Sequence, residues 1–239
     1  MSKKWQYIFT WAVVVAALVY IGYRLATYEE YNQLLLYIQS IGYQEYVYLL
    51  IALFLMPLQL YVEAHRWRTL LHGLTEISVH ESFVHVLQGS VAGFITPYRV
   101  GDIPARLLLI GHTLDEWKDA IGGWKTWLKD GYKWLTIVLQ TLLRYGVWGV
   151  QLGLMLTFAG IDLTIAQLCV LIPIYYGMVS ILPMLPAGDI PIKGSCAVLV
   201  FGTATNDVPA LVLAVSMIWL INTVLPVLWG CGYRVFCKR

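Results

Sequence analysis

The sequence predicts an all-α membrane protein: a polytopic bundle of about six transmembrane helices and one broken re-entrant hairpin, with both termini in the cytoplasm. Of its 239 residues, 59% are hydrophobic and only 13% are charged, whereas soluble domains carry about 25% charged residues. The apolar residues come in runs that can cross a hydrocarbon core of about 30 Å as helices. With those spans, fourteen of the 16 Lys and Arg residues fall on the side of the N-terminus, which is the cytoplasmic side by the positive-inside rule.

The first two predicted spans are residues 5–26 and 46–62. Lys3 and Lys4 precede the first run in the order typical of a signal peptide. However, the run is too long and lacks a small-residue cleavage site, so we expect a retained helix. Trp and Tyr at the ends of both segments fit the interfacial aromatic belts of membrane proteins.

Residues 83–110 are apolar but interrupted by glycines and prolines, among them Pro97 and Gly101. Neither half is long enough to span, since thirteen helical residues cover only about 20 Å. Such a stretch usually enters and leaves on one side, with its irregular backbone lining a buried or wet cavity. We therefore expect Pro97 and Gly101 to be the structural breaks of a hairpin.

The second half of the chain contains further predicted spans and a second break. Residues 113–133 mix charges with Trp, which predicts an interfacial amphipathic helix. Spans follow at 134–158 and 165–185. Pro186, Gly188 and Gly194 then break the chain before a short apolar helix that ends near residue 205, and the last span is 208–229. We expect one integral membrane domain, 1–239.

Charged residues at the two breaks are the candidate binding site. Arg99, Asp102 and Arg106 could hold an anionic phosphate head group, because Arg presents a planar donor fork that an acid can orient. An ion pair that only fixes the hairpin explains them equally well. Asp189 and Lys193, four residues apart, could form the second half of the site or merely stabilise a helix start.

Arg144 stands near the middle of an apolar span, where a charge is costly and usually functional. The sequence predicts Asp102 or Asp189 as its partner, unless a shifted helix lets it reach the interface. Glu63, His65 and Arg66 close the second segment, where capping and anchoring are more common than ligand binding.

No catalytic or cofactor motif appears, neither a nucleophile elbow, a His-Glu-x-x-His zinc motif nor a phosphate-binding glycine loop. The cysteines lack zinc-site spacing. We therefore expect no enzyme activity, no metal and no cofactor, and the charge balance gives no support to nucleic-acid binding.

At these residues the chain resembles a known family, the transmembrane region of lysylphosphatidylglycerol synthases and its stand-alone relatives. The likeness covers most of the chain and rests on four pieces in order: Arg66-Trp67, Pro97-x-Arg99-x-Gly101-Asp102-x-x-Ala105-Arg106, the helix from Arg144-Tyr145 to Gln151, and Pro186 to Gly194 followed by a helix ending at Gly202. It departs from the family by being shorter and by carrying Asp189 and Lys193 where relatives commonly have Gly or Glu and Arg.

In bacterial multiple peptide resistance proteins this region moves aminoacylated phospholipid across the bilayer, while a separate soluble domain performs aminoacyl transfer. That soluble domain has no counterpart here. The resemblance implies a flippase-like translocator of an anionic phospholipid or polyprenyl phosphate in the bacterial cytoplasmic (inner) membrane, with membrane lipids as partners. Two alternatives stay open: a non-transporting scaffold that binds an envelope lipid or glycan assembly protein, and a membrane lipid transferase.

Overall fold

The computed structural model describes residues 36, 39–43, 45–72, 75–96, 99–111, 131–181, 189–205 and 207–236, and its regular elements there are all helical. This confirms the all-α class. The elements are α1 (Tyr46–Leu71), α2 (Val79–Ile95), α3 (Asp102–Leu108), α4 (Gly131–Phe158), α5 (Ile165–Ile181), α6 (Asp189–Phe201), α7 (Val208–Trp219) and α8 (Leu225–Phe236), with a π-helical turn, Leu220–Val224, joining α7 to α8.

Two helices of the described part are long and apolar enough to cross a membrane, Tyr46–Leu71 and the continuous helix Val208–Tyr233. Helix α4 is longer, at 28 residues, but Gln140, Arg144 and Gln151 lower its hydropathy. The predicted first span, 5–26, and residues 113–130 of the predicted amphipathic stretch lie outside the described residues. Six spans with cytoplasmic termini therefore stay a prediction.

Some predicted boundaries are confirmed and others are wrong. Helix α4 ends at Phe158 and α5 begins at Ile165, as expected. The second segment does not end at residue 62, because α1 continues to Leu71 and keeps Glu63 inside the helix. Gly194 does not break the chain: it lies within α6, where an added Cβ would make an ordinary contact of 3.8 Å with Val212.

Helix starts follow familiar capping chemistry. Ser78 and Glu81 form a capping box at the start of α2, and the backbone N–H of Ser78 donates to the Glu81 carboxylate at 2.8 Å. This hydrogen bond lowers the pKa of Glu81 below its ordinary value. At the start of α7, the Asp207 carboxylate accepts from the backbone N–H of Ala210 at 3.2 Å. Such side-chain caps satisfy donors that the first turn leaves unpaired.

Helix α1 has two apolar faces, one buried against other helices and one exposed. One face packs against α4 and α2, with buried residues at four-residue spacing: Ala52, Met56, Leu60 and Ala64. The other face exposes large apolar side chains, including Val47, Leu50, Phe54, Leu58 and Tyr61. A contiguous exposed apolar stripe of this kind needs an apolar medium or a partner.

The remaining packing brings the hairpin and the C-terminal helices together around α1 and α4. Helix α3 packs on α2, α8 packs on α2, and α7 packs on both α4 and α6. The side chain of Gln88 on α2 donates to the backbone carbonyl of Gly230 on α8 at 2.9 Å. The core side of α1 therefore faces the hairpin and α4 at once, and the charged residues of three elements meet there.

Candidate functional site

Glu63 lies at the centre of a buried charge cluster. Its side chain is only 5% exposed, and Arg66 Nη2 lies 2.7 Å from its Oε2. Arg106 Nη1 donates to Oε1 at 3.0 Å, and Arg144 Nη1 forms an ion pair with Oε2 at 3.1 Å. One carboxylate from α1 therefore contacts arginines of α1, α3 and α4.

A second carboxylate, Asp102, orients Arg106 from the start of α3. Arg106 Nε donates to Asp102 Oδ1 at 2.6 Å, and Arg106 Nη2 donates to Oδ2 at 3.1 Å. This two-bond fork is the geometry in which Arg–carboxylate pairs are strongest and most directional. An ion pair at the break was one of the two interpretations of these residues; Asp102 and Arg106 form one, and Glu63 joins it from a helix 43 positions earlier.

Glycine on α2 makes room for this pair. A Cβ at Gly89 would overlap Asp102 Oδ1 and lie 2.6 Å from Arg106 Nε. A Cβ at Gly93 would lie 3.2 Å from Asp102 Cβ and 3.4 Å from Arg99 Nε. The glycines of the predicted hairpin thus let α3 approach α2 closely enough to place three charged side chains.

Two tryptophans complete the surroundings of the arginines. The Arg144 guanidinium carbon lies 4.4 Å from the ring centre of Trp148, and that of Arg106 lies 5.3 Å from the ring centre of Trp67. Both distances suit cation–π attraction, which is stronger where water is excluded.

The break between α2 and α3 holds Arg99 in an uncommon backbone conformation. Thr96 caps the end of α2: its hydroxyl accepts from the Gly101 N–H at 2.8 Å and donates to the Ala92 carbonyl at 2.9 Å. Arg99 follows with φ of +55°, the one positive value among the described residues other than glycine. A left-handed conformation costs a side-chain-bearing residue about 1–2 kcal/mol, and such strain clusters at functional sites.

These elements enclose a cavity of about 340 Å³ between α1, the α2–α3 hairpin and α4. The charged residues that line it are Glu63, Arg66, Arg99, Asp102, Arg106 and Arg144. Four guanidinium groups thus meet two carboxylates. The cavity carries an excess of two positive charges when all six groups are ionised.

Two of the arginines keep unused donors. Arg66 Nε and Arg144 Nε are buried and donate no hydrogen bond within the described part of the chain. A buried N–H group without a partner costs about 1–3 kcal/mol. Together with the charge excess, this favours an anion with several acceptor oxygens as the ligand of the cavity.

Two consecutive hydrogen bonds lead from the cavity towards the interior of the helix bundle. Asn222, on the π-helical turn, also lines the cavity and donates from Nδ2 to Gln151 Oε1 at 2.9 Å. Gln151, fully buried on α4, donates in turn to the Ala52 carbonyl at 2.9 Å. π-Helical turns are rare and frequently occur at functional sites.

The structure brings four of the six predicted site residues together: Arg99, Asp102, Arg106 and Arg144 all line the cavity. Lys193 lies on α6 and is not among the described lining residues. The side chain of Asp189, together with Pro97, Pro186 and Gly188, lies outside what the structure describes. The role of Asp189 and Lys193 as a second half-site stays a prediction.

Two interpretations of individual residues are wrong. Glu63 is no helix-end anchor but the residue that contacts three of the arginines, and it, not Asp102, is the ion-pair partner of Arg144. His85 on α2 lies beside this cluster: it is buried and accepts from Trp67 Nε1 at 3.3 Å. The available signal was the spacing of Gln59, Glu63 and Arg66, which places all three on one helical face.

Comparison with known proteins does not supply a family. No family model, no curated protein and no solved structure matches this chain. The resemblance to the transmembrane region of lysylphosphatidylglycerol synthases therefore stays a prediction, and the function has to be argued from the cavity itself.

Proposed function

We propose that this chain is a multi-pass membrane protein that binds the anionic head group of a lipid in the Glu63 cavity and takes part in moving that lipid between leaflets. The observation that carries the proposal is the charge of a buried site: four arginines against two carboxylates, with two guanidinium Nε donors unpaired. Phosphate oxygens suit such a site because Arg donors match them in geometry and charge.

The surroundings support a lipid over a soluble anion. The cavity is framed partly by α1, whose other face exposes a row of large apolar side chains. Buried charges within apolar helices usually face a cavity and mark a substrate pathway. The ligand chemistry that fits is a phospholipid or polyprenyl phosphate, as the resemblance implies, in the cytoplasmic membrane of a bacterium.

The break between α2 and α3 supports translocation more than static binding. Interrupted helices next to a buried site are the usual construction of membrane transporters, because unwound backbone can line a cavity there. We place the α2–α3 hairpin on the cytoplasmic side, where the basic residues gather, so a head group would enter from that leaflet.

A transferase is less well supported by the same geometry. Both oxygens of Asp102 accept from Arg106, so this carboxylate is already engaged in orienting an arginine. The scaffold alternative makes a different prediction: a protein that co-purifies with the chain while the cavity stays without lipid.

The test compares two arginines of equal charge. Arg99→Asn removes a cavity charge and suits the left-handed backbone, since Asn tolerates that conformation. Arg68→Gln is the matched control, because Arg68 is exposed on α1 and does not line the cavity. Thermal unfolding of the purified chain in detergent is measured with phosphatidic acid and with phosphatidylcholine, and native mass spectrometry records bound lipids.

We expect phosphatidic acid to stabilise the wild type and the Arg68→Gln variant more than phosphatidylcholine does, and Arg99→Asn to lose that difference. An equal response of all three proteins would refute the cavity as the lipid site. Recovery of a lipid-free chain bound to another protein would favour the scaffold function instead.

A further inference from the structure

A second, larger opening lies on the neighbouring face of α4. It is a groove of about 850 Å³ between α4 and α5, and its lining is almost entirely apolar. It runs along α4 from Leu142 to Thr157, which is about 22 Å of helix. An acyl chain of one leaflet spans half of a core of about 30 Å, so the groove is long enough to hold such a chain.

Glycines in both helices leave the groove open, because they carry no side chain to fill it. Gly146, Gly149 and Gly153 lie along its α4 wall and Gly177 lies on its α5 wall. Within the part of the chain that the structure describes, a Cβ at Gly146 or Gly177 would meet nothing within 4 Å, and one at Gly149 would touch only Ile172, at 3.5 Å. The space that side chains would occupy is open, although the two helices pack on each other elsewhere.

An aromatic wall joins this groove to the Glu63 cavity. Trp148 lines the cavity and stacks on Arg144, while Tyr145 and Tyr176 line the groove. The Trp148 ring centre lies 5.5 Å from that of Tyr145 and 5.9 Å from that of Tyr176. The Tyr176 hydroxyl donates to the Trp148 carbonyl at 3.1 Å, which fixes the wall between α4 and α5.

We infer that the α4–α5 groove holds a hydrocarbon chain of the same lipid whose head group occupies the Glu63 cavity. This inference rests on the proposed function, since it assigns the apolar part of that ligand. The cavity supplies charge and the groove supplies only apolar surface, and one aromatic wall borders both. An amphiphile with an anionic head and a long chain is the ligand chemistry that uses both sites together.

Filling the groove tests the inference. Gly146→Leu places a side chain in the open space, and replacing a glycine inside a helix favours the helical conformation. Gly232→Leu is the matched control: Gly232 lies in α8, its added Cβ also meets no described residue within 4 Å, and it is not among the residues that line the groove.

The readout is the thermal stabilisation that dioleoyl phosphatidic acid gives, compared with dibutyryl phosphatidic acid, which has the same head group and chains too short for the groove. We expect the long-chain lipid to stabilise wild type and Gly232→Leu more. In Gly146→Leu its effect falls to that of the short-chain lipid, which itself still stabilises. An unchanged long-chain advantage in Gly146→Leu would overturn the inference.

This comparison separates the two proposals. If dibutyryl phosphatidic acid gives no stabilisation beyond dibutyryl phosphatidylcholine in wild type, the head-group site fails and the inference fails with it. If the short-chain response is present but filling the groove changes nothing, only the inference fails.

A photo-cross-linking residue identifies the occupant directly. We place p-benzoylphenylalanine at Val150, which lines the groove, and at Phe54, which is exposed on α1, and irradiate native membranes. We expect an adduct of one phospholipid at Val150, enriched in anionic lipids relative to Phe54, with the enrichment lost in Arg99→Asn. An adduct with another segment of the chain or a second copy, or equal lipid composition at both positions, would overturn the inference.

Discussion

Glu63 Oε1 accepts a hydrogen bond from Arg106 Nη1 at 3.0 Å, and the two side chains are only 5% and 8% exposed. This contact ties the middle of α1 to the short helix α3, which follows the break after α2. Because Glu63 also contacts Arg66 and Arg144, one carboxylate neutralises part of the charge that three helices bring together. The position of the hairpin and the electrostatics of the cavity therefore depend on the same residue.

Replacing Glu63 by Gln should strongly destabilise the protein. The substitution keeps the side-chain size but leaves the buried Arg106 and the partly buried Arg66 and Arg144 without their shared carboxylate, and breaking a buried ion pair costs about 3–5 kcal/mol. Chemical unfolding in detergent micelles measures the loss. Glu76→Gln is the control, since Glu76 is exposed between α1 and α2. Equal stability of both variants would show that Glu63 does not hold the cluster together.

The break between α2 and α3 was predictable from the sequence, whereas the carboxylate of Glu63 that meets the arginine beyond the break was not. Gly89, Gly93, Pro97 and Gly101 interrupt an apolar run too short to span twice, and this pattern alone predicts a break with charged residues beside it. The structure confirms that Asp102 and Arg106 pair there.

The role of Glu63 in the charge cluster was not predicted, because hydropathy defines the ends of helices poorly. The apolar run stops near residue 62, but α1 continues to Leu71, since partners from α3 and α4 satisfy the charges that would otherwise end a buried helix. The position of Arg144 within an apolar segment did predict an acidic partner. Which acid it meets depends on how α4 packs against α1, and one-dimensional spacing does not contain that information.

Gly89→Ala should disturb the cavity without changing any charge. The added Cβ would overlap Asp102 Oδ1 and lie 2.8 Å from Arg106 Cγ, so α3 must shift, at a cost of about 1–3 kcal/mol typical of overpacking. Gly232→Ala, whose Cβ meets none of the described residues within 4 Å, should instead be neutral or slightly stabilising. Thermal unfolding of the two variants side by side checks this, and a Gly89→Ala variant as stable as the control would contradict the close approach of α2 and α3.

The hydrogen bond between Asn222 and Gln151 should show energetic coupling. Gln151→Leu leaves both the Asn222 amide and the Ala52 carbonyl without their partner, whereas Asn222→Leu leaves only Gln151 Oε1 unpaired. We expect a larger loss for Gln151→Leu and, in a double-mutant cycle, a coupling free energy of about 0.6 kcal/mol, the average for hydrogen bonds between membrane helices, and at most about 1.7 kcal/mol. Additive single effects would show that the π-helical turn does not engage α4 through this contact.

Substitutions of Arg99 can distinguish an effect on stability from an effect on ligand binding, because the Arg99 backbone is strained while its side chain lines the cavity. Arg99→Gly removes backbone strain of about 1–2 kcal/mol. Part of this stabilisation is offset because glycine makes the unfolded chain more flexible. The variant should therefore be as stable as wild type or up to about 1 kcal/mol more stable, yet lose the response to phosphatidic acid. Arg99→Val removes the same charge but places a β-branched residue in the left-handed region, at a cost of about 1–3 kcal/mol. Unfolding and lipid titration of both variants distinguish the two effects: equal stability would argue against the left-handed backbone, and a retained lipid response would argue against Arg99 as a ligand.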